Sequence, residues 1–319
     1  MSKTDAQPIY AVVGSGYMGG GIAQVLALAG AEVHISDVDL ATAENSRERL
    51  IAEAKQFVAD GLFPQEAPAL IEANLHADTL EDAVAHASFI AEAVPEKIDI
   101  KHATLRRIAE AAPADAIIGS NTSTILIRKL AEPISNPERF LGVHFANPSP
   151  FIPGVEIITH AGTDPAVVTR VRAIMAEIGK ECAEVGDATG FVMNRLQYAL
   201  FHEATQLVEE GVAGPEEIDT IVRTSFGFRL PFFGPFAVAD MAGLDVYAFC
   251  YESLQTEFPE RFATPQQLAD LVAAGKLGTK SGGGFLPIPA ERAADLISYR
   301  NRAYVELMKL LDKLGPAPM

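Results

Sequence analysis

The chain has 319 residues, 49% of them apolar and 21% charged, which is long enough for two domains with a core each and argues against disorder. Its 25 Lys and Arg stand against 42 Asp and Glu, a net charge of −17 that repels phosphate backbones and anionic lipid heads, so nucleic acid and membrane surfaces are poor partners. Cys182 and Cys250 lie far apart, and no cysteine or histidine pair has metal-ligand spacing, so no metal site is expected and the thiols fit a reducing cytosol. The amino terminus runs almost directly into an apolar strand without a signal-type core, and no run of about 18 apolar residues occurs, so a cytoplasmic protein is expected.

Short apolar runs alternate with segments of helical period through the first 190 residues, the pattern of parallel strands joined by crossover helices. Strands are predicted at Ile9–Val13, Val33–Asp37, Phe89–Val94, Ala116–Ser120, Leu141–Phe145, Val155–Thr159 and Cys182–Val185. The first leads into VVGSGYMGGGIAQ, where Gly14-x-Gly16-x-x-Gly19 sits between a strand and a helix. Glycine there permits the tight turn and lets the backbone approach a pyrophosphate held at the helix start. Gly14, Gly16, Tyr17, Met18 and Gly19 are the expected cradle. The second strand ends at Asp37, whose carboxylate suits ribose hydroxyls, and Val38, Asp39 and Leu40 offer no cation for a 2′-phosphate, so NAD is favoured over NADP.

Residues 40–86 have a helical period over 41–59, a break at Gly61 and Pro64, and a second helix after Pro68, which predicts a helical hairpin inserted in the sheet. After Gly190 the strand pattern stops. A helix over Phe191–Glu210 ends at Gly211, and another starts at Gly214-Pro215-Glu216-Glu217 with proline and acids in its first turn. The expected fold is therefore α/β: a Rossmann-type doubly wound parallel sheet with an inserted helical hairpin over 1–188, then an all-α domain over 189–319 that holds substrate and a dimer interface.

GVHFANPSPFIPGVE puts His144 near the carboxyl end of a strand, where side chains face the cofactor crevice. By itself such a histidine is as readily a structural residue as a catalyst. Asn147 follows in the same loop, Glu156 lies twelve residues on, and Ser120-Asn121-Thr122-Ser123 ends the preceding strand. An acid bonded to one ring nitrogen fixes the tautomer and supports the charge when the other takes a proton, as alcohol oxidation by NAD requires.

These segments, together with EAVPEKIDIK, SNTST, GFVMNRLQYA and GPFAVADMAGLDVY, resemble the 3-hydroxyacyl-CoA dehydrogenase family along almost the whole chain, nearest to its branch of L-gulonate 3-dehydrogenase, lambda-crystallin and L-carnitine dehydrogenase. The resemblance implies that His144 is the base, Glu156 its partner acid, Ser123 and Asn194 the groups that hold the reacting oxygen, Glu96 the acid beside the nicotinamide, and the molecule a homodimer. Arg229, in FGFRLPFFGPF, suits a free carboxylate and looks like that branch, with a structural ion pair as the bland reading. The hairpin's nine acids against three bases make a poor phosphate surface, whereas KLGTKSGGGF resembles the thioester-using branch. The expected reaction is hydride transfer between NAD and the 3-hydroxyl or 3-keto group of a free hydroxy acid, with a short-chain L-3-hydroxyacyl-CoA dehydrogenase as the alternative.

Overall fold

A computed structural model describes residues 7–318. In chain order, β1 (Ile9–Val13) leads to α1 (Tyr17–Leu28), β2 (Glu32–Ser36), α2 (Leu40–Ala59), α3 (Ala67–Asn74), β3 (Leu75–Ala77), α4 (Leu80–Val84), β4 (Phe89–Glu92), α5 (Ile98–Ala111), β5 (Ile117–Ser120), α6 (Ile127–Leu130), β6 (Phe140–Phe145), β7 (Gly154–Thr159), α7 (Pro165–Glu177) and β8 (Glu181–Gly186). The eight strands form one sheet in the order β3-β2-β1-β4-β5-β6-β7-β8. The order reverses between β1 and β4, and in a doubly wound sheet that switch opens a crevice at the carboxyl ends of the strands.

Alternation along each strand divides the core into two layers. Tyr10, Val12 and Phe89 face Ile22, Leu26 and Leu50 on one side of the sheet. Ala11, Val13 and Ile90 face Leu105, Ile108 and Ile127 on the other. Burial on both faces is why these strands read as continuous apolar runs in the sequence.

Two features depart from the sequence expectation. β3 lies within the segment read as helical, pairing Val33 with Leu75 and His34 with His76, so the α2–α3 hairpin ends in a strand that closes one edge of the sheet. Arg47 ties the hairpin together by donating to the carbonyls of Glu72 and Leu75. The sheet is also not wholly parallel, because β7 runs antiparallel to β6. Residues 146–153 are too few for a crossover, and a short connection returns the chain antiparallel.

α8 (Met193–Glu209) carries the chain out of the sheet unit, followed by α9 (Pro215–Thr224), α10 (Pro235–Ala242), α11 (Leu244–Glu257), α12 (Gln266–Ala273) and α13 (Ala293–Leu314). By its contacts the chain separates into two compact units at Phe201/His202, inside α8. The first turn of α8 stays with the sheet because Glu156 accepts from its backbone. The second unit has a small core of Ala239, Leu244 and Leu268. Its KLGTKSGGGF segment is held by buried Asp240, whose carboxylate accepts from the N–H of Phe285 at 3.0 Å and of Leu286 at 2.7 Å, and Lys280 pairs with Asp245. No helix among the described residues is long and apolar enough to cross a membrane.

Phe89 is fully buried and meets Tyr10 edge-on at 5.9 Å between ring centroids. Phe89→Ala is expected to destabilise the sheet unit by about 3–5 kcal/mol, read as a lower urea midpoint with the slope unchanged.

Candidate active site

The glycine loop is shaped by contact. Gly14 has φ +101°, and a Cβ there would lie 2.7 Å from the Ala93 backbone. A Cβ on Gly19 would lie 1.8 Å from the Gly14 carbonyl oxygen, so only glycine lets α1 begin this close to β1. Gly16 has nothing within 4 Å of its Cβ position, which leaves its backbone open to a ligand. The loop borders a cavity of about 600 Å³ lined also by Tyr17, Met18, Asp37, Ala93 and Pro95.

Asp37 lines this cavity beside the glycine loop. One carboxylate oxygen accepts from the N–H and hydroxyl of Ser15, the former at 2.7 Å, and the other accepts from Val38 N–H at 2.8 Å. Asp39 caps α2 through Thr42 N–H at 2.7 Å, so a second carboxylate adjoins the first where a 2′-phosphate would need a cation. Open glycine backbone, helix start and carboxylate fit NAD. When bound, NAD supplies the hydride acceptor or donor.

Farther along the sheet, β6 and β7 are in register with His144 directly opposite Glu156. His144 Nδ1 lies 2.8 Å from Glu156 Oε2, and His144 Nε2 lies 3.1 Å from Ser123 Oγ. The other Glu156 oxygen accepts from Val192 and Met193 N–H, each at 2.9 Å. Burial pushes the Glu156 carboxyl up, but the hydrogen bonds from His144 and from the Met193 and Val192 backbone outweigh it and hold the group below the usual carboxylate range. An ionised Glu156 can only accept, so Nδ1 carries a proton, and the ring nitrogen that can take or give one toward a substrate is Nε2.

The loop after β5 is fixed by an acid. Glu96 accepts from Thr122 Oγ at 2.6 Å and from Ser123 and Thr124 N–H, each at 2.9 Å. Burial pushes its carboxyl up, while these bonds and Lys101 draw it below the ordinary value. Asn194 Nδ2 donates to the Ser123 carbonyl at 3.2 Å. Ser123, His144, Glu156, Asn194 and Glu96 are thus joined by hydrogen bonds into one constellation. Asn147 is exposed, with no side-chain hydrogen bond among the described residues, and Arg229 belongs to the second unit.

Three contributors escaped the sequence reading. Lys101 and Glu92 form a fully buried ion pair at 2.7 Å, Ser120 Oγ donates to the same carboxylate, and Lys101 lies 3.5 Å from Glu96. Phe191, at φ +47°, packs on His144 at 5.8 Å between centroids and turns the chain so that the next two N–H groups meet Glu156. Ser15 links Asp37 to Ser46. The EAVPEKIDIK motif contained the first pair, but nothing in its spacing distinguished a buried lysine from an exposed one.

Models of the NAD-binding domain and of the C-terminal domain of 3-hydroxyacyl-CoA dehydrogenase match residues 10–188 and 190–287. The chain belongs to the 3-hydroxyacyl-CoA dehydrogenase family. It is an NAD-dependent oxidoreductase of that family, built on the family's parallel-sheet NAD-binding domain and helical C-terminal domain. It is 37% identical over 304 residues to 5-formyl-3-hydroxy-2-methylpyridine 4-carboxylate 5-dehydrogenase of Mesorhizobium japonicum, covering 95% of this chain and 97% of that one. It is 36% identical over 276 residues to a probable 3-hydroxybutyryl-CoA dehydrogenase of Bacillus subtilis, covering 86% and 95%. The solved 3-hydroxyacyl-CoA dehydrogenase of Archaeoglobus fulgidus superposes with a TM-score of 0.78 at 30% identity, covering 97% and 99%.

The lowered Glu156 carboxyl has a pH signature in this dehydrogenase. A carboxyl depressed by folding contributes stability above its unfolded pKa and loses it as pH falls through the folded value. Denaturation from pH 7 to pH 3 is expected to show wild type more stable than Glu156→Gln near neutrality, with the gap narrowing once the pH drops below the ordinary glutamate value of 4.5. A constant gap would assign the difference to something other than ionisation.

Proposed function

We propose that this dehydrogenase oxidises the 3-hydroxyl of a small hydroxy acid with a free carboxylate, of the L-gulonate or L-carnitine kind, or reduces the matching keto acid. His144 Nε2 takes the hydroxyl proton, Glu156 stabilises the imidazolium that results, and Ser123 and Asn194 orient the oxygen. Glu96 holds the Ser123 loop beside the nicotinamide side of the crevice, and Asn147 contacts the substrate. Gly14, Gly16, Tyr17, Met18, Gly19 and Asp37 hold NAD.

Arg229 carries the free-acid reading. Its guanidinium is exposed and makes no ion pair among the described residues, which leaves its fork open to an external carboxylate. The Mesorhizobium relative, whose name specifies a carboxylate substrate, supports the same reading.

The alternative is a short-chain 3-hydroxyacyl thioester, carried by the name of the Bacillus relative. Against it, the hairpin region has few cations to offer nucleotide phosphates: Arg47 is bonded to the Glu72 and Leu75 carbonyls, and Arg49 to the Ser15 carbonyl and Glu53. Nicotinamide absorbance with L-gulonate, L-carnitine and (S)-3-hydroxybutyrate beside (S)-3-hydroxybutyryl-CoA decides between them. Turnover of a free acid is expected, with a sharply raised KM in Arg229→Ala and kcat reduced about 10²- to 10⁴-fold in His144→Ala. Turnover of the thioester alone would reject the free-acid reading.

The second unit exposes Ile221, Phe249, Val305 and Met308, and we infer that a second copy of the chain covers them. Light scattering on the eluting protein is expected to give twice the chain mass, and a monomer mass at micromolar concentration would reject the dimer.

A further inference from the structure

In the second unit a cavity of about 210 Å³ is lined by Arg229, Val238, Met241, Ala242, Arg300 and Tyr304. Neither guanidinium has an ion-pair partner among the described residues, and Arg300 donates only to neutral Asn301, at 3.0 and 3.2 Å. By contrast, Arg261 in the same unit is bonded to both Glu203 and Glu210. Arg229 is exposed and Arg300 half-buried, so an anion can reach both from solvent. Val238, Met241 and Ala242, on one face of α10, give the space an apolar wall, and a poorly hydrated wall strengthens a charge-assisted hydrogen bond.

The partners come from different stretches of sequence. Arg229 belongs to the FGFRLPFFGPF segment, whereas Arg300 and Tyr304 lie one turn apart on α13. Aromatic packing joins the two: Tyr304 meets Phe228 at 5.7 Å, Phe232 at 6.1 Å and Phe233 at 6.3 Å. The match to the family's C-terminal domain model ends at residue 287, ahead of α13.

We propose that Arg229 and Arg300 form a carboxylate-binding site that α13 completes. The volume suits a small acid rather than a nucleotide. Arg300 is a binding residue here, with no part in proton or hydride movement.

Calorimetry tests this, and it fails separately from the free-acid reading. Titration of succinate into the protein as purified is expected to show binding that weakens roughly 10- to 100-fold in Arg300→Ala and partly returns in Arg300→Lys, which restores charge without the fork. No succinate binding by wild type, or equal binding by wild type and Arg300→Ala, overturns the site. A protein that binds succinate through Arg300 yet turns over only the CoA thioester would keep the anion site and reject the free-acid function.

Discussion

The site depends on both oxygens of the Glu156 carboxylate being used. One oxygen accepts from His144 and thereby selects the ring tautomer, while the other accepts from the two N–H groups at the start of α8. Helix starts leave such donors unpaired, and a negative charge there is favoured by the helix dipole. One buried acid therefore orients the base, anchors the helix that brings in Asn194, and satisfies its own desolvated charge. None of this would arise if β7 ran parallel to β6, because the antiparallel register is what sets Glu156 opposite His144.

A second, quieter acid organises the facing loop. Glu96 gathers the Thr122 hydroxyl and the Ser123 and Thr124 N–H groups, and the buried Glu92–Lys101 pair stands behind it. The pair costs desolvation, so the bonds that Glu92 also accepts from Ser120 and the Val94 N–H are what make it tolerable. Donor positions set before substrate arrives need not reorganise during reaction, which is the usual origin of electrostatic catalysis.

Much of this was legible in the sequence where the signal was local. The glycine loop, its strand and helix, and Asp37 all lie within one βαβ unit, and His144 and Glu156 lie within one hairpin. What escaped was either short or tertiary. β3 spans three residues, too few for alternation to show. The direction of β7 was encoded in the length of the 146–153 connection, a cue less obvious than apolar periodicity. Lys101 sits in a helix of ordinary composition, and its burial is decided by Glu92 on a neighbouring strand. Arg229 drew notice by its residue type, whereas Arg300, 71 positions on, could be joined to it only by the packing of α13. KLGTKSGGGF resembles the thioester branch, and in the fold it wraps Asp240: a Cβ on Gly278 would lie 2.1 Å from the Asp240 carbonyl oxygen and one on Gly284 2.1 Å from its carboxylate.

The order of the sheet has a bearing on how this chain avoids its own kind. A sheet of eight strands, most joined by long crossovers, brings together residues distant in sequence and assembles slowly, which leaves its borders available to other unfinished chains. Both borders are poor templates. β3 offers only three residues of ladder, and β8 carries exposed Glu181 and Glu184 within an acidic molecule, so an approaching strand meets like charge as well as an unpaired backbone. The surplus of acids thus guards against aggregation along the sheet edge.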